Sequence, residues 1–251
     1  MTPARPLARR LKLLRLAAHL LLGLIKTPFY GNPFAPRGAR TIRAWHAEAC
    51  TALGLHVTVH GQPVPGALYA CNHISWLDIP VLGSQLERAC FLSKTEIRGW
   101  PLIGWLAARS GAIFLARGNG QQDASRQIAD VLRAGHGVVL FPEGTTTDGL
   151  RLRRFHARLL QPALDAHVLV QPIAIRYLDA HGQPNPRAAY IDDDSFNDTL
   201  QRIVAEDGLV AEVHFLPVIA PDELSRSQLA RQAQHEVSQA MKLAAHDSPV
   251  E

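Results

Sequence analysis

The stretch "ALYACNHISWLDIPVLG", residues 67–83, decides the fold because a short polar segment separates two apolar ones. Its first part predicts a buried strand, and its last part predicts a short helix. His73 and Asp78 lie five residues apart; on one continuous helix they would point about 140° apart. If the two side chains act together, the chain must turn between them. We therefore expect a strand that ends near Asn72, then a turn, then a helix that begins near Asp78.

Apolar runs of strand length alternate with helical patterns along most of the chain. Strands are predicted at residues 56–61, 67–71, 90–93, 111–116, 137–141, 168–177 and 209–219. Helices are predicted at residues 42–53, 78–86, 101–110, 121–135 and 225–246. Strands that alternate with helices form βαβ units. The predicted fold class is therefore α/β, with a mostly parallel central sheet flanked by helices.

Three polar stretches directly follow predicted strands, which is where parallel sheets carry their active sites. They are "NHISWLD" (72–78), "ARGNG" (116–120) and "PEGTTTDG" (142–149). Because the carboxyl ends of parallel strands meet at one edge of a sheet, we expect these three stretches to form one site.

The first stretch contains a histidine and an aspartate that fit a catalytic base and the group that orients it. A neutral imidazole can take a proton from a hydroxyl near pH 7, and a carboxylate on its other nitrogen stabilises the imidazolium. Ser75 lies nearby, but it is not part of a G-x-S-x-G nucleophile motif. We therefore expect His73 to act on a substrate hydroxyl without a covalent enzyme intermediate. The alternative is that His73 caps a turn and Asp78 caps a helix.

The third stretch offers a second set of polar groups. Glu143 would be a costly carboxylate at a strand end unless it is paired. Gly144 permits a tight turn, and the hydroxyls of Thr145 and Thr146 could receive a polar or anionic head group. The alternative is a capped loop. A P-loop is excluded, because the sequence has no G-x-x-x-x-G-K-[ST] motif.

Basic side chains near the same edge could enlarge the site. Arg117 follows the predicted strand at 111–116, and its planar guanidinium can bind a phosphate or a carboxylate with two parallel hydrogen bonds. Five further basic residues could contribute to the site: Lys94, Arg98, Arg151, Arg153 and Arg154. For each of them the alternative is that it is an ordinary surface charge.

Charge is distributed unevenly along the chain. Residues 1–43 hold nine basic residues and no acidic one, whereas the remainder holds 17 basic and 22 acidic residues. A basic segment on an acidic body indicates attraction to an anionic surface, either lipid or nucleic acid. The basic residues alternate with leucines rather than with aromatic residues that stack on bases, which favours lipid.

Residues 11–25, "LKLLRLAAHLLLGLI", predict a helix that lies in a membrane surface. The uncharged stretch Leu16–Ile25 is shorter than the roughly 20 residues that a spanning helix needs. Basic residues recur along one helical face and leucines fill the rest, as in an in-plane amphipathic helix. The basic face comprises Arg9, Lys12, Arg15, His19 and Lys26. A short tilted span, a cleaved signal peptide and an ordinary docked helix are the alternatives.

A Pro/Gly-rich segment at 27–40 predicts a linker after this helix. The expected organisation is therefore a membrane-surface helix and linker at residues 1–41, followed by the main domain at 42–251. The three cysteines, Cys50, Cys71 and Cys90, lack the spacing of a disulfide framework or a zinc site. His136, His156, His167 and His214 have no spaced partners, so they are predicted to be structural, and no metal is expected.

Taken together, four blocks in this order resemble the glycerolipid acyltransferase family, which includes bacterial 1-acyl-glycerol-3-phosphate acyltransferase. "NHISWLD" resembles its Asn-His-x4-Asp block, and "GAIFLAR" (111–117) resembles its second block. "FPEGTT" (141–146) and "LVQPIAI" (169–175) resemble the third and fourth blocks. The similarity spans about residues 67–175.

The resemblance implies an α/β domain preceded by a membrane-associated helical segment. It implies transfer of a fatty acyl group from an acyl-CoA or acyl-carrier-protein thioester to a lysolipid hydroxyl, with no cofactor besides that co-substrate. The implied partners are membrane lipids, with acyl carrier protein as a candidate and no nucleic acid; the oligomeric state stays open. The implied location is the cytoplasmic face of a bacterial inner membrane. The rival functions are a non-catalytic lipid-binding protein and a thioesterase.

The resemblance also assigns roles to residues of this chain. His73 corresponds to the general base and Asp78 to its orienting carboxylate. Arg117 corresponds to the arginine that holds the acceptor head group, while Glu143 and Gly144 shape the acceptor site. The remaining candidate substrate-binding residues are Asn72, Ser75, Lys94, Thr145 and Thr146.

Thr146 departs from the family pattern, because the third block ordinarily carries an arginine there. Losing a charge-assisted contact of this kind removes about 1.5–3 kcal/mol of binding free energy. The main expectation is 1-acyl-glycerol-3-phosphate as acceptor, giving phosphatidic acid, with Arg151, Arg153 or Arg154 replacing the missing arginine. The alternative acceptor is lyso-ornithine lipid or another lysophospholipid.

Overall fold

The computed structural model describes residues 6–94, 98–99, 103–115, 121–191 and 193–242. Its helices are α1 (Pro6–Lys26), α2 (Pro36–Leu53), α3 (Asp78–Gly83), α4 (Ile103–Arg109), α5 (Gln121–Arg133), α6 (Gln161–Ala166), α7 (Phe196–Val204) and α8 (Arg226–Met241). Its strands are β1 (His56–His60), β2 (Leu68–Cys71), β3 (Ala89–Lys94), β4 (Ile113–Leu115), β5 (Gly137–Leu140), β6 (Val170–Leu178) and β7 (Val210–Phe215).

The strands form one sheet in the order β1-β7-β6-β2-β5-β3-β4. Neighbouring strands are parallel, except that β6 and β7 are antiparallel. The predicted α/β class with a mostly parallel sheet is therefore confirmed. The carboxyl ends of β2 and β5, which are direct neighbours, place the segments that follow them side by side.

Two apolar clusters cover the two faces of this sheet. On one face, Leu53 of α2, Leu82 of α3 and Ile203 of α7 pack against the strands. On the other face, Leu132 of α5 and Leu229 of α8 do the same. All residues of β2 and β5 are buried, as expected for central strands of a parallel sheet covered on both sides.

Helix α2 begins at Pro36 rather than near residue 42, so the predicted linker is shorter than expected. Ala35 is extended, with ψ 150°, and Pro36 takes the first helical turn, where proline fits because its missing N–H would have no partner. The prolines and glycines of 27–40 had indicated a linker throughout. The expected boundary between residues 41 and 42 consequently falls inside α2.

Helix α1 packs on α2 through the face that had been predicted to be cationic. His19 is buried and stacks on Trp45, with ring centroids 4.9 Å apart. Lys12 donates a hydrogen bond to the carbonyl of Glu206. The expected exposed stripe of five basic residues is therefore wrong for Lys12 and His19, because the body of the protein supplies contacts that a helical wheel cannot show.

The exposed face of α1 is instead apolar. Its exposed large apolar side chains, followed by that of Phe29 in the next turn, recur at helical spacing: Leu7, Leu11, Leu14, Leu21, Leu22, Ile25 and Phe29. Exposed Arg10, Arg15 and Lys26 are also on this helix. In the part of the chain that the structure describes, no helix is long and apolar enough to cross a membrane.

Candidate active site

The turn between β2 and α3 brings His73 and Asp78 together, as expected from the sequence. The Nδ1 atom of His73 lies 2.7 Å from Oδ2 of Asp78. The backbone N–H groups of Ile74 and Ser75 also donate to Oδ2, over 2.8 and 3.0 Å. Asp78 is fully buried. Because Oδ2 already accepts hydrogen bonds from two backbone N–H groups, we assign the proton of its contact with His73 to Nδ1, which leaves a free lone pair on Nε2.

Tyr177 completes the environment of this carboxylate, and it was not among the residues identified from the sequence. Its hydroxyl donates to Oδ1 of Asp78 over 2.7 Å. The side chain is buried in β6, and burial together with the negative charge of Asp78 raises its pKa well above the ordinary value. The hydroxyl therefore stays protonated and acts as a donor. A tyrosine just after the "LVQPIAI" block was the one available signal.

Asn72 and Ser75, both predicted to bind substrate, are placed in the protein interior. The side chain of Asn72 donates to the carbonyl of Ile175 over 3.0 Å and accepts its N–H over 2.8 Å. Asn72 therefore joins the end of β2 to β6. Ser75 is fully buried, and its hydroxyl has no hydrogen-bond partner among the described residues. Neither side chain faces an open surface where a substrate head group could bind.

Glu143 joins the second polar stretch to the first. One of its carboxylate oxygens accepts the N–H of His73, and the other accepts the N–H of Arg153, both over 2.8 Å. Burial raises the pKa of Glu143 to about 7, although these two N–H groups act in the opposite direction. Glu143 thus fixes the backbone at His73. Its two oxygens are already engaged within the protein.

The imidazole of His73 is also held by its ring face. It stacks on Phe141, with ring centroids 3.9 Å apart and an angle of 14° between the planes. The N–H of Thr147 donates to the carbonyl of His73 over 2.8 Å. The side chain of His73 remains 21% exposed, so its Nε2 atom is accessible to a substrate while the rest of the residue is fixed.

The other candidates of the third stretch differ in their exposure and contacts. Gly144 has a φ of +73°, which a residue with a side chain adopts only with strain. Thr145 is exposed. The hydroxyl of Thr146 donates to the carbonyl of Tyr190, so it joins this loop to a distant segment of the chain.

The cationic candidates differ in what the structure describes. Arg117 lies outside the described residues, and so does the side chain of Lys94, whose backbone ends β3. The guanidinium of Arg98 lies 5.6 Å from the centroid of the Phe114 ring. Nε of exposed Arg151 lies 3.7 Å from Oδ2 of half-buried Asp148. Arg153 and Arg154 are exposed.

This arrangement can move a proton but offers no nucleophile of its own. Cys71 is fully buried, and burial together with the nearby carboxylates of Asp78 and Glu143 raises the pKa of its thiol well above the ordinary value. Ser75 is equally inaccessible. A base without an enzyme nucleophile fits direct attack by a substrate hydroxyl.

Comparisons with known proteins agree with this chemistry. The family model described as "Acyltransferase" matches residues 56–176. The lyso-ornithine lipid O-acyltransferase of Pseudomonas aeruginosa is 41% identical over 248 residues, covering 96% of this chain and 95% of that protein. The 1-acyl-sn-glycerol-3-phosphate acyltransferase of Neisseria gonorrhoeae is 36% identical over 186 residues, covering 71% of each chain.

The fold is also that of a solved structure. The crystal structure of the 1-acyl-sn-glycerophosphate acyltransferase of Thermotoga maritima matches with a TM-score of 0.69 at 20% identity, covering 93% of this chain and 96% of that one. At this identity the match shows the fold alone. With the extended similarity to the two bacterial enzymes, the resemblance first read from four short blocks is confirmed: the chain belongs to the acyltransferase family and is an O-acyltransferase.

Proposed function

We propose that this enzyme transfers a fatty acyl group from a thioester to the hydroxyl of a lysolipid, with His73 as the general base. The observation that carries the proposal is the contact of Nδ1 of His73 with the buried carboxylate of Asp78. It fixes the tautomer in which Nε2 can accept a proton. General-base catalysis of this kind contributes about 10²–10⁴-fold to a rate.

The reaction follows from this assignment. Nε2 of His73 takes the proton of the acceptor hydroxyl while the hydroxyl oxygen attacks the thioester carbonyl carbon. The tetrahedral intermediate then collapses, the carbon–sulfur bond breaks, and the imidazolium returns the proton to the leaving thiolate. Asp78 stabilises the imidazolium in between. The products are the acylated lipid and the free thiol of the carrier.

Lyso-ornithine lipid is the acceptor that we propose. The relative from Pseudomonas aeruginosa carries that name and is similar over 96% of this chain. A second relative with the same name, from Rhodobacter capsulatus, is 34% identical over 86% of the chain. Thr146 supports the proposal, because its hydroxyl is bound to a backbone carbonyl and supplies no positive charge for a phosphate.

The second candidate acceptor is 1-acyl-glycerol-3-phosphate, the main expectation from the sequence. The similarity to the enzyme from Neisseria gonorrhoeae favours it. Arg153 and Arg154 are exposed beside the third stretch, and Arg117 stays a prediction as a ligand of the head group. Acyl-CoA and acyl carrier protein both remain candidates for the donor.

We also propose that α1 lies in the membrane surface. Residues 1–41 would then serve for attachment to the membrane and residues 42–251 for catalysis. The exposed apolar face from Leu7 to Ile25 supports this role, because such a surface binds lipid when basic residues flank it. Arg10, Arg15 and Lys26 are exposed on the same helix. The cytoplasmic face of a bacterial inner membrane, where thioester donors are available, is the proposed location.

The acceptor is tested by acyl transfer in mixed vesicles that contain one lysolipid at a time. Two donors that carry a labelled acyl chain, acyl-CoA and acylated acyl carrier protein, are supplied in parallel. The acceptors are lyso-ornithine lipid, 1-acyl-glycerol-3-phosphate and other lysophospholipids. Label that enters ornithine lipid at the highest kcat/KM supports the proposal. Preferential labelling of phosphatidic acid moves the assignment to the second candidate, and free fatty acid without acylated lipid would contradict both.

A further inference from the structure

A cluster of two histidines and a glutamate lies on the exposed face of the sheet at β1 and β7. In the parallel pairing of these strands, His60 stands directly opposite His214. Glu212 precedes His214 by two residues on β7, so its side chain points to the same face. Sequence spacing alone had assigned His214 no partner, because the two strands are separated by about 150 residues.

The three side chains converge. Nε2 of His60 lies 3.5 Å from one oxygen of Glu212, and Nε2 of His214 lies 3.3 Å from the other. One ligand atom from each residue falls within 4.8 Å of the others. The two imidazole rings are stacked, with centroids 4.4 Å apart. Ligand nitrogens around a tetrahedral zinc ion are about 3.3 Å apart, so the exposed ring of His60 has to rotate out of the stack for its Nε2 to reach the same ion as Nε2 of His214.

An unsatisfied polar atom marks the same place. Nε2 of His214 is buried and has no hydrogen-bond partner among the described residues, although it lies 3.3 Å from a carboxylate oxygen of Glu212. Arg176 of β6 contacts the oxygen of Glu212 that faces His214, over 3.2 Å. The guanidinium therefore orients the carboxylate. The other carboxylate oxygen, on the side of His60, is left to bind a cation.

We propose that His60, Glu212 and His214 form a binding site for a divalent transition-metal ion of the zinc class. Two imidazoles and one carboxylate are ligands that suit such an ion and leave a fourth position for water. Since β1 is the outer strand next to β7, a bound ion would join the edge of the sheet to its interior.

This site is separate from the acyl-transfer site. Arg176 and Tyr177 are consecutive in β6 and therefore point to opposite faces of the sheet. Tyr177 contacts Asp78 of the dyad, whereas Arg176 contacts Glu212. The metal site is therefore expected to affect the stability of the fold rather than the reaction, and its test does not depend on the acceptor.

The test uses untagged, full-length protein dialysed against a chelator and titrated with Co²⁺ and Zn²⁺. We expect saturable binding of one ion per chain and visible d–d absorption from bound Co²⁺. Zn²⁺ should displace the bound Co²⁺ and raise the melting temperature. Removal of a ligand in His60→Ala or in His214→Gln is expected to weaken binding by more than about 10-fold, since even residues outside the ligand set cost that much.

His56→Ala is the matched control, because His56 is exposed on the same strand and the same face but stands opposite Val210. It should bind the ion as the wild type does. Stoichiometric binding lost in the His60 and His214 variants and kept in His56→Ala supports the site. Absence of saturable binding to the wild type, or equal binding by all three variants, overturns it; His60 is exposed, so His60→Ala gives an answer even if His214→Gln folds poorly.

Discussion

The hydroxyl of Tyr177 donates a 2.7 Å hydrogen bond to Oδ1 of Asp78, while His73 and two backbone amides contact Oδ2. Both oxygens of a fully buried carboxylate are thereby satisfied. The contact joins β6 to the turn after β2, so a residue 99 positions away holds the carboxylate of Asp78. We infer that Tyr177 positions the dyad without touching the substrate.

Replacement of Tyr177 by phenylalanine is expected to lower kcat while leaving KM for both substrates nearly unchanged. The variant leaves Oδ1 of Asp78 without its donor, and an unsatisfied buried acceptor costs about 1–3 kcal/mol. If the cost appears fully in the transition state, kcat falls by about 5- to 150-fold. Steady-state kinetics with each substrate varied in turn measures this effect.

Tyr69→Phe is the control for that variant. Tyr69 is buried in β2, and its hydroxyl donates to the carbonyl of Val64 over 2.8 Å, away from the dyad. It should lose a similar amount of stability and keep its kcat. Equal losses of kcat in both variants would show that Tyr177 acts through general stability rather than through Asp78.

Glu143 should make the free energy of unfolding fall as the pH rises from about 4.5 to about 7. Burial raises its pKa from the ordinary 4.5 to about 7 in the folded protein. In that interval the folded state binds more protons than the unfolded state, so ionisation at higher pH disfavours folding. The stabilisation is complete below pH 4.5 and is lost by the time the pH has passed 7; its full size is about 3 kcal/mol.

Urea unfolding of the wild type and of Glu143→Gln at pH 5 and pH 8 measures this contribution. The stability difference, wild type minus variant, should be larger at pH 5, because the glutamine does not titrate. A difference that is larger at pH 8 would mean that the hydrogen bonds from His73 and Arg153 outweigh burial and hold the pKa of Glu143 below its ordinary value.

Membrane attachment should depend on the apolar face of α1. The double variant Leu14→Glu and Leu21→Glu places two charges on exposed positions, where they oppose insertion into lipid but leave the contacts with α2 intact. We expect it to stay in the supernatant when anionic vesicles sediment. Val218→Glu, at another exposed apolar position, should sediment as the wild type does, and unchanged sedimentation of the double variant would refute this role of α1.

An arginine restored at position 146 should shift the acceptor preference. Thr146→Arg supplies the cation of the family's third block, and a charge-assisted contact to phosphate contributes about 1.5–3 kcal/mol. The ratio of kcat/KM for 1-acyl-glycerol-3-phosphate over lyso-ornithine lipid should therefore rise by at least about tenfold. Thr145→Arg, one residue away and exposed, controls for added charge; an equal rise in both variants would remove Thr146 from the specificity argument.

The sequence predicted the local geometry of residues 67–83 because alternation of apolar runs reports directly on strands and helices. β2 ends at Cys71 and α3 begins at Asp78, as expected. The fold class followed from the same alternation. The start of α2 was missed because Pro36 was interpreted as a linker residue, although proline is also common in the first turn of a helix.

The pattern of apolar and polar residues could not predict contacts between distant segments of the chain. Nothing in the spacing of residues shows that Tyr177 contacts Asp78, or that Asn72 is bound to Ile175 rather than exposed to substrate. The orientation of α1 was missed for the same reason, because the partners that bury Lys12 and His19 lie elsewhere in the chain. Such contacts depend on strand order and helix packing, which one sequence does not encode locally.

The most direct test of His73 as the general base is kcat/KM for acyl transfer by His73→Ala, compared with His181→Ala at an exposed histidine. We predict a loss of at least about 100-fold for His73→Ala, with a cooperative unfolding transition and unchanged sedimentation with vesicles, and wild-type activity for His181→Ala. Activity of His73→Ala within tenfold of the wild type would contradict the assignment of His73 as the general base.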